Sequence, residues 1–110
     1  MGSFVRGDVV ITPFPFSDLT TAKRRPAVVV APLQGQDVVL CQITSKTHWD
    51  PYAVLITAAD FTSGSLHQDS HVRPNRLFTA DGDIILYKAG ALTDAKTQEI
   101  IARIVKIVTT

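Results

Sequence analysis

The run Pro26-Ala27-Val28-Val29-Val30-Ala31-Pro32 constrains this chain more than any other feature. Its β-branched centre favours extended backbone, and prolines at both ends oppose a helical continuation. Neither face of the run is polar, so a strand built from it must be covered on both sides. The other apolar stretches are equally short. Residues 8–12 are ended by Pro13 and Pro15, which cannot donate to a ladder. Residues 38–43 follow the turn Gly35-Gln36-Asp37 and are the expected hairpin partner of 26–31. Residues 53–56, 70–73 (cut by Pro74), 77–79 and 84–87 add further strands, the last two flanking the turn Asp81-Gly82-Asp83. Residues 17–23 read as a mobile loop, 44–51 as irregular and 62–65 as a turn. Many short strands at close spacing predict a small barrel or sandwich.

The period changes once. Thr93 is an expected N-cap with Asp94 in the first turn, where the helix dipole favours an anion. Ile100, Ile101, Ile104, Val105 and Val108 then recur at helical spacing. The expected architecture is mainly β, a barrel closed by one C-terminal helix.

At 110 residues, with no internal repeat or composition break, residues 1–110 are expected to form a single domain. Hydrophobic residues at 45% and charged residues at 19% exclude a disordered tail. Cys41 is the single cysteine, which excludes an intrachain disulfide and fits a reducing cytosol. No apolar run approaches the roughly 20 residues that span a bilayer. Residues 1–6 lack a secretory pattern, so the expectation is a soluble cytoplasmic protein with no membrane contact. The net charge of +1 gives little support to a wrapped polyanion. Its distribution matters more: Lys23, Arg24 and Arg25 are consecutive, and Arg73 and Arg76 lie close together, so a local phosphate site is feasible.

Several chemistries are poorly supported. His48, His67, His71 and Cys41 show no metal-ligand spacing on a shared helix, and ordinary surface or half-buried histidines are the expected reading. There is no phosphate-binding glycine loop and no G-x-S-x-G elbow. Asp81 and Asp83 read as a turn. No metal or cofactor is expected. What remains is Arg25, Thr44, Ser45, Lys46 and the Arg73–Arg76 stretch. If the hairpin turns at Gly35-Gln36, residues 25 and 44 fall near one open end. That sets a guanidinium fork beside a hydroxyl, a pair suited to a phosphodiester. On chemistry alone, a solvated basic loop and a turn at the strand end are the commoner readings.

The ordered motifs carry more weight. They are G-D-V-V at 7–10, P-F-P-F-S-D at 13–18, K-R-R-P-A-V-V-V at 23–30, Q-I-T-S at 42–45 and S-H-V-R-P-N-R-L-F-T at 70–79, followed by the terminal helix. In this order and spacing the chain resembles the PemK/MazF family of toxin–antitoxin ribonucleases over nearly its whole length. The resemblance implies a small SH3-like barrel, a homodimer and metal-independent cleavage of single-stranded mRNA at short sequences. It also implies restraint by a cognate antitoxin, including in a DNA-binding complex. It carries activity onto Arg25 and Thr44, and proximity to the RNA path onto Ser45 and the Arg73–Arg76 stretch; with Lys23, Arg24, Lys46, Trp49 and His71 these make up the expected RNA-contact set. Family members use the substrate's 2′-hydroxyl as nucleophile and leave a cyclic phosphate and a free 5′-hydroxyl. Arg25 is then assigned transition-state stabilisation first and leaving-group protonation second, because its high pKa makes it a poor base. Thr44 would hold a non-bridging oxygen or orient the 2′-hydroxyl.

Some relatives place an acid near the position of Asn75, whose amide exchanges no proton. His71 and His48 are the candidates in its stead, against the alternatives of an inward-facing and a solvent-facing histidine, and the general base stays unassigned. Trp49 and Tyr52 suit base stacking or, equally, cover for the core or a dimer seam. Two further functions stand beside the ribonuclease. One is a non-catalytic RNA-binding module on the same barrel. The other is a gyrase-poisoning toxin, disfavoured because the related CcdB toxins act through a terminal Trp-Gly-Ile and this chain ends Ile107-Val108-Thr109-Thr110.

Overall fold

A computed structural model describes residues 3–14, 23–46 and 50–110. In chain order the elements are β1 (Asp8–Phe14), β2 (Lys23–Pro32), β3 (Asp37–Thr44), β4 (Val54–Ile56), β5 (Phe61–Gly64), β6 (Ser70–Asp81), β7 (Tyr87–Leu92) and α1 (Asp94–Thr109). Short 3-10 turns at Ala58–Asp60 and Gly82–Ile84 join some of them. The strands form one antiparallel sheet in the order β4-β6-β3-β2-β1-β7-β5.

The valine run lies inside β2 and is buried on both faces. Val28 and Val30 join one core with Val9, Cys41, Ile43 and Ile100. Ala27 and Val29 join another with Val10, Val38, Leu40 and Ala80. The alternation follows from the two-residue period of a strand. Each fully buried valine or isoleucine contributes roughly 1.5–3 kcal/mol, so two faces of apolar residues hold this strand in the middle of the sheet. Val54 and Ile56, from one edge strand, share the first core with Leu92 and with Phe61 of the opposite edge strand. One core fed from both edges requires the sheet to curl, which gives the barrel-like shape expected from the spacing of the strands.

The helix also forms as its period suggests. Thr93 Oγ1 accepts the Lys96 N–H at 3.2 Å as N-cap, and Ile100 plugs the first core with Ile101 and Ile104 beside it. Val105 and Val108 on the same helix stay half or more exposed.

Three local readings change. Pro74 does not end a strand, because β6 runs through it as a bulge. Ile43 pairs with Val72 and Cys41 with Leu77, so residues 73–76 stand opposite Gln42 alone. A proline without an N–H fits where the ladder is interrupted, and Cys41 Sγ donates to the Arg73 carbonyl there at 2.9 Å. Residues 62–65 are not a turn, since Phe61–Gly64 pairs with β7 as an edge strand. Residues 84–87 do not form a strand as a unit. Asp81 Oδ1 accepts the Asp83 N–H at 2.9 Å and caps a 3-10 turn, delaying β7 to Tyr87.

Gly64 shows how closely β5 lies on β7. Its φ is +66°, and a Cβ there would sit 2.1 Å from the Ala89 carbonyl oxygen and 2.6 Å from Gly90 Cα. Gly35, at φ +75°, has open space around it. Gly35→Ala should therefore cost only the left-handed backbone strain, about 1–2 kcal/mol. Gly64→Ala should cost about 1–3 kcal/mol more through overpacking. Urea denaturation of the two variants measures the difference, and equal losses would contradict the close β5–β7 approach.

Candidate functional site

Strand register builds the site. Ala27 of β2 pairs with Gln42 of β3. The same antiparallel register carried two residues further sets Arg25 opposite Thr44. Both line one open groove of about 380 Å³, within the size range of ligand clefts. Arg24 and Ser45 line it too, over a floor that includes Ile11, Pro26 and Ile43. The far wall is the loop before β6, with Leu66, His67 and Gln68, together with Tyr87 of β7. Among the described residues lining the groove, the fixed charges are the two guanidiniums, and no carboxylate faces them.

Thr44 is oriented by the chain that follows it. Its Oγ1 accepts the Lys46 N–H at 3.2 Å, which turns the chain out of β3. With the oxygen so occupied, the hydroxyl proton is the part left to donate to a bound anion. The guanidinium of Arg25 offers up to five donors in a fixed plane. Together they suit one phosphodiester oxygen pair.

The other expected RNA-contact residues are divided. Thr44 also borders a second cleft with Lys46, His71, Arg73 and Asp50, but that cleft holds only about 10 Å³. Such a volume encloses about one water molecule. His71 is half-buried there, paired with Thr44 on one side and Leu55 on the other. Arg73 donates from Nε to Asp50 Oδ2 at 3.0 Å, so its guanidinium is engaged within the protein. Arg76 is exposed on the bulge and lines neither cleft. Trp49, His48 and the Lys23 side chain lie outside the described residues, as do residues 17–22. Tyr52 is exposed and borders a separate groove of about 350 Å³ with Arg103 and Lys106.

A larger hollow of about 430 Å³ lies beside the β2–β3 hairpin turn, at the other end of those strands. Its charged lining groups are Asp37 and Asp83. Carboxylates repel phosphate, so of the two hollows the smaller, cationic groove is the better suited to an anion.

Sequence reasoning missed His67, Gln68 and Tyr87. Only Leu66 carried a signal, as an isolated apolar residue in a polar stretch. It packs against the first core, and Ser70 Oγ donates to the Gln68 carbonyl at 3.0 Å. These two attachments bracket His67 and hold it at the groove.

Asp50 organises the segment that follows β3. Its Oδ1 accepts the Tyr52 N–H at 2.9 Å while Oδ2 takes the Arg73 bond. The Tyr52 N–H first, then Arg73 and Arg76, hold the carboxyl below its ordinary value. A depressed carboxyl stabilises the fold above the unfolded-state pKa near 3.9, and that contribution disappears as pH falls through the folded value. In a carbon-detected NMR titration Asp50 should titrate below a free aspartate, and Arg73→Ala should move it part of the way back. An unchanged Asp50 titration in that variant would show the pair to be idle.

Comparison with known proteins agrees with the fold. A family profile described as PemK-like, MazF-like toxin of type II toxin–antitoxin system matches residues 5–108. Sequence comparison with curated proteins returns no match. Among solved structures, a MazE–MazF complex from Deinococcus radiodurans superposes with a TM-score of 0.79 at 17% identity, over 99% of each chain. An endoribonuclease in complex with its cognate antitoxin, from Mycobacterial species, gives 0.77 at 17% identity over 97% of this chain and 96% of that one. The Mycobacterium tuberculosis toxin MazF-mt6 gives 0.72 at 16% identity over 93% and 96%. At these identities the structures speak for the fold, while the profile spans nearly the whole sequence. The chain therefore belongs to the PemK-like, MazF-like toxins of type II toxin–antitoxin systems.

Proposed function

We propose that this toxin is an endoribonuclease that cuts single-stranded mRNA in the Arg25–Thr44 groove. The observation that carries the reading is that both residues line one cationic cleft in which no described carboxylate takes part. RNA brings its own nucleophile, the 2′-hydroxyl, so the protein needs to orient it, have its proton accepted and stabilise the phosphorane. Arg25 neutralises charge on the non-bridging oxygens, and Thr44 donates to one of them or orients the 2′-hydroxyl. A phosphorane served by a guanidinium and a hydroxyl requires no metal, and the products are a 2′,3′-cyclic phosphate and a free 5′-hydroxyl. The two flanking residues, Arg24 and Ser45, guide the adjoining backbone.

The named relatives place antitoxin complexes and endoribonucleases on this fold, which supports a cognate antitoxin as the restraining partner. A homodimer is supported by the family and by the half-bare apolar stripe of Val105 and Val108 on α1. A cytoplasmic site of action follows from an mRNA substrate.

Incubation of the purified protein with single-stranded RNA in EDTA should yield fragments ending in cyclic phosphate. Removing one transition-state donor costs roughly 10²–10³-fold, so Arg25→Ala should slow cleavage by about that factor. RNA that is bound but left intact would favour the non-catalytic module instead.

A further inference from the structure

The geometry points to His67 as the group that takes the proton from the 2′-hydroxyl, an assignment that rests on the ribonuclease reading above. Two described histidines flank Thr44, and the available space separates them. His71 borders the cleft of about 10 Å³, room for about one water molecule. His67 borders the groove of about 380 Å³ that also holds Arg25. A proton acceptor must reach the reacting hydroxyl directly or through one water. Among the described residues, His67 is the imidazole positioned on the substrate side.

Its placement is built rather than incidental. Leu66 is packed on the core immediately before it, and the Ser70–Gln68 hydrogen bond closes the loop immediately after it. Ser70 is itself buried and paired with Ile56 of β4. The imidazole is exposed, as access to a bound ribose requires. Across the groove stand Arg24 and Arg25 from β2 and Tyr87 from β7. None of those residue classes ordinarily titrates between pH 5 and 8, whereas imidazole does.

The step balances as follows. The neutral imidazole of His67 takes the 2′-hydroxyl proton as the 2′-oxygen bonds to phosphorus. The bond from phosphorus to the 5′-oxygen breaks, and the departing oxygen takes a proton from water in the open groove. The resulting imidazolium and hydroxide neutralise each other through solvent. Because the neutral imidazole is the working form, the rate should rise with pH through the imidazole range and then level off.

Single-turnover cleavage of a single-stranded RNA from pH 5 to 8, with affinity followed by fluorescence anisotropy, tests the assignment. His67→Gln and His67→Ala should lose about 10²–10⁴-fold in rate, lose the pH-dependent rise, and bind RNA within a few-fold of the wild type. Added imidazole should restore part of the His67→Ala rate. His71→Gln should keep the rise, whatever its absolute rate. The assignment is overturned if the His67 variants keep the wild-type profile, if their loss is wholly one of affinity, or if the rise disappears with His71 instead. A wild-type protein that leaves RNA intact would remove the ribonuclease reading itself, and this assignment with it.

Discussion

The pairing of β2 with β3 is the constraint on which the site depends. Ala27 sits opposite Gln42 and Val28 opposite Cys41 because both strands must feed two cores at once. A slip of one residue would exchange the faces of every valine between two apolar environments of different shape. It would also move Arg25 away from Thr44. Burial on both faces thus locks the register, and the register brings a guanidinium to a hydroxyl at the open end of the hairpin. The arrangement of the groove is a by-product of packing that lies well inside the sheet.

The same architecture separates charge without a large net charge. Cationic Arg24 and Arg25 stand at one end of β2, and Asp37 and Asp83 line the hollow at the other. A chain with a net charge of +1 can therefore still draw a phosphate to one place. The bulge in β6 serves a complementary purpose. By stepping out of the ladder at Pro74, the strand carries Arg73 to Asp50, and this pair anchors the chain leading into β4 at Val54. Arg73, expected at the RNA, donates from Nε to Asp50 beside Thr44.

Much of the fold was legible in residue order. The proline-bracketed valine run, the glycine turn at Gly35 and the helical period from Ile100 each specify local structure through short-range sterics and burial pattern. Pro74 misled because a proline forbids a ladder bond but not a strand that bulges around it. Residues 62–65 misled because Gly64 and its serine neighbours resemble a turn, whereas Gly64 is needed where β5 and β7 backbones nearly touch. Arg25 and Thr44 were readable because a single hairpin relates them. His67 was not, because its loop reaches the groove through Leu66 and Ser70, contacts made with strands distant in the sequence.

What residue order alone determined is the class of fold, the two-faced central strand and the closing helix, all of which follow from periodicity and from what proline and glycine permit. It also located the arginine–hydroxyl pair, since a hairpin is a local object. Tertiary structure decided which side of Thr44 is open, which described histidine faces that side, and which arginine pairs with a carboxylate. Those outcomes depend on how far the sheet curls and where β6 bulges, and curvature arises from contacts between strands that no short stretch of sequence contains.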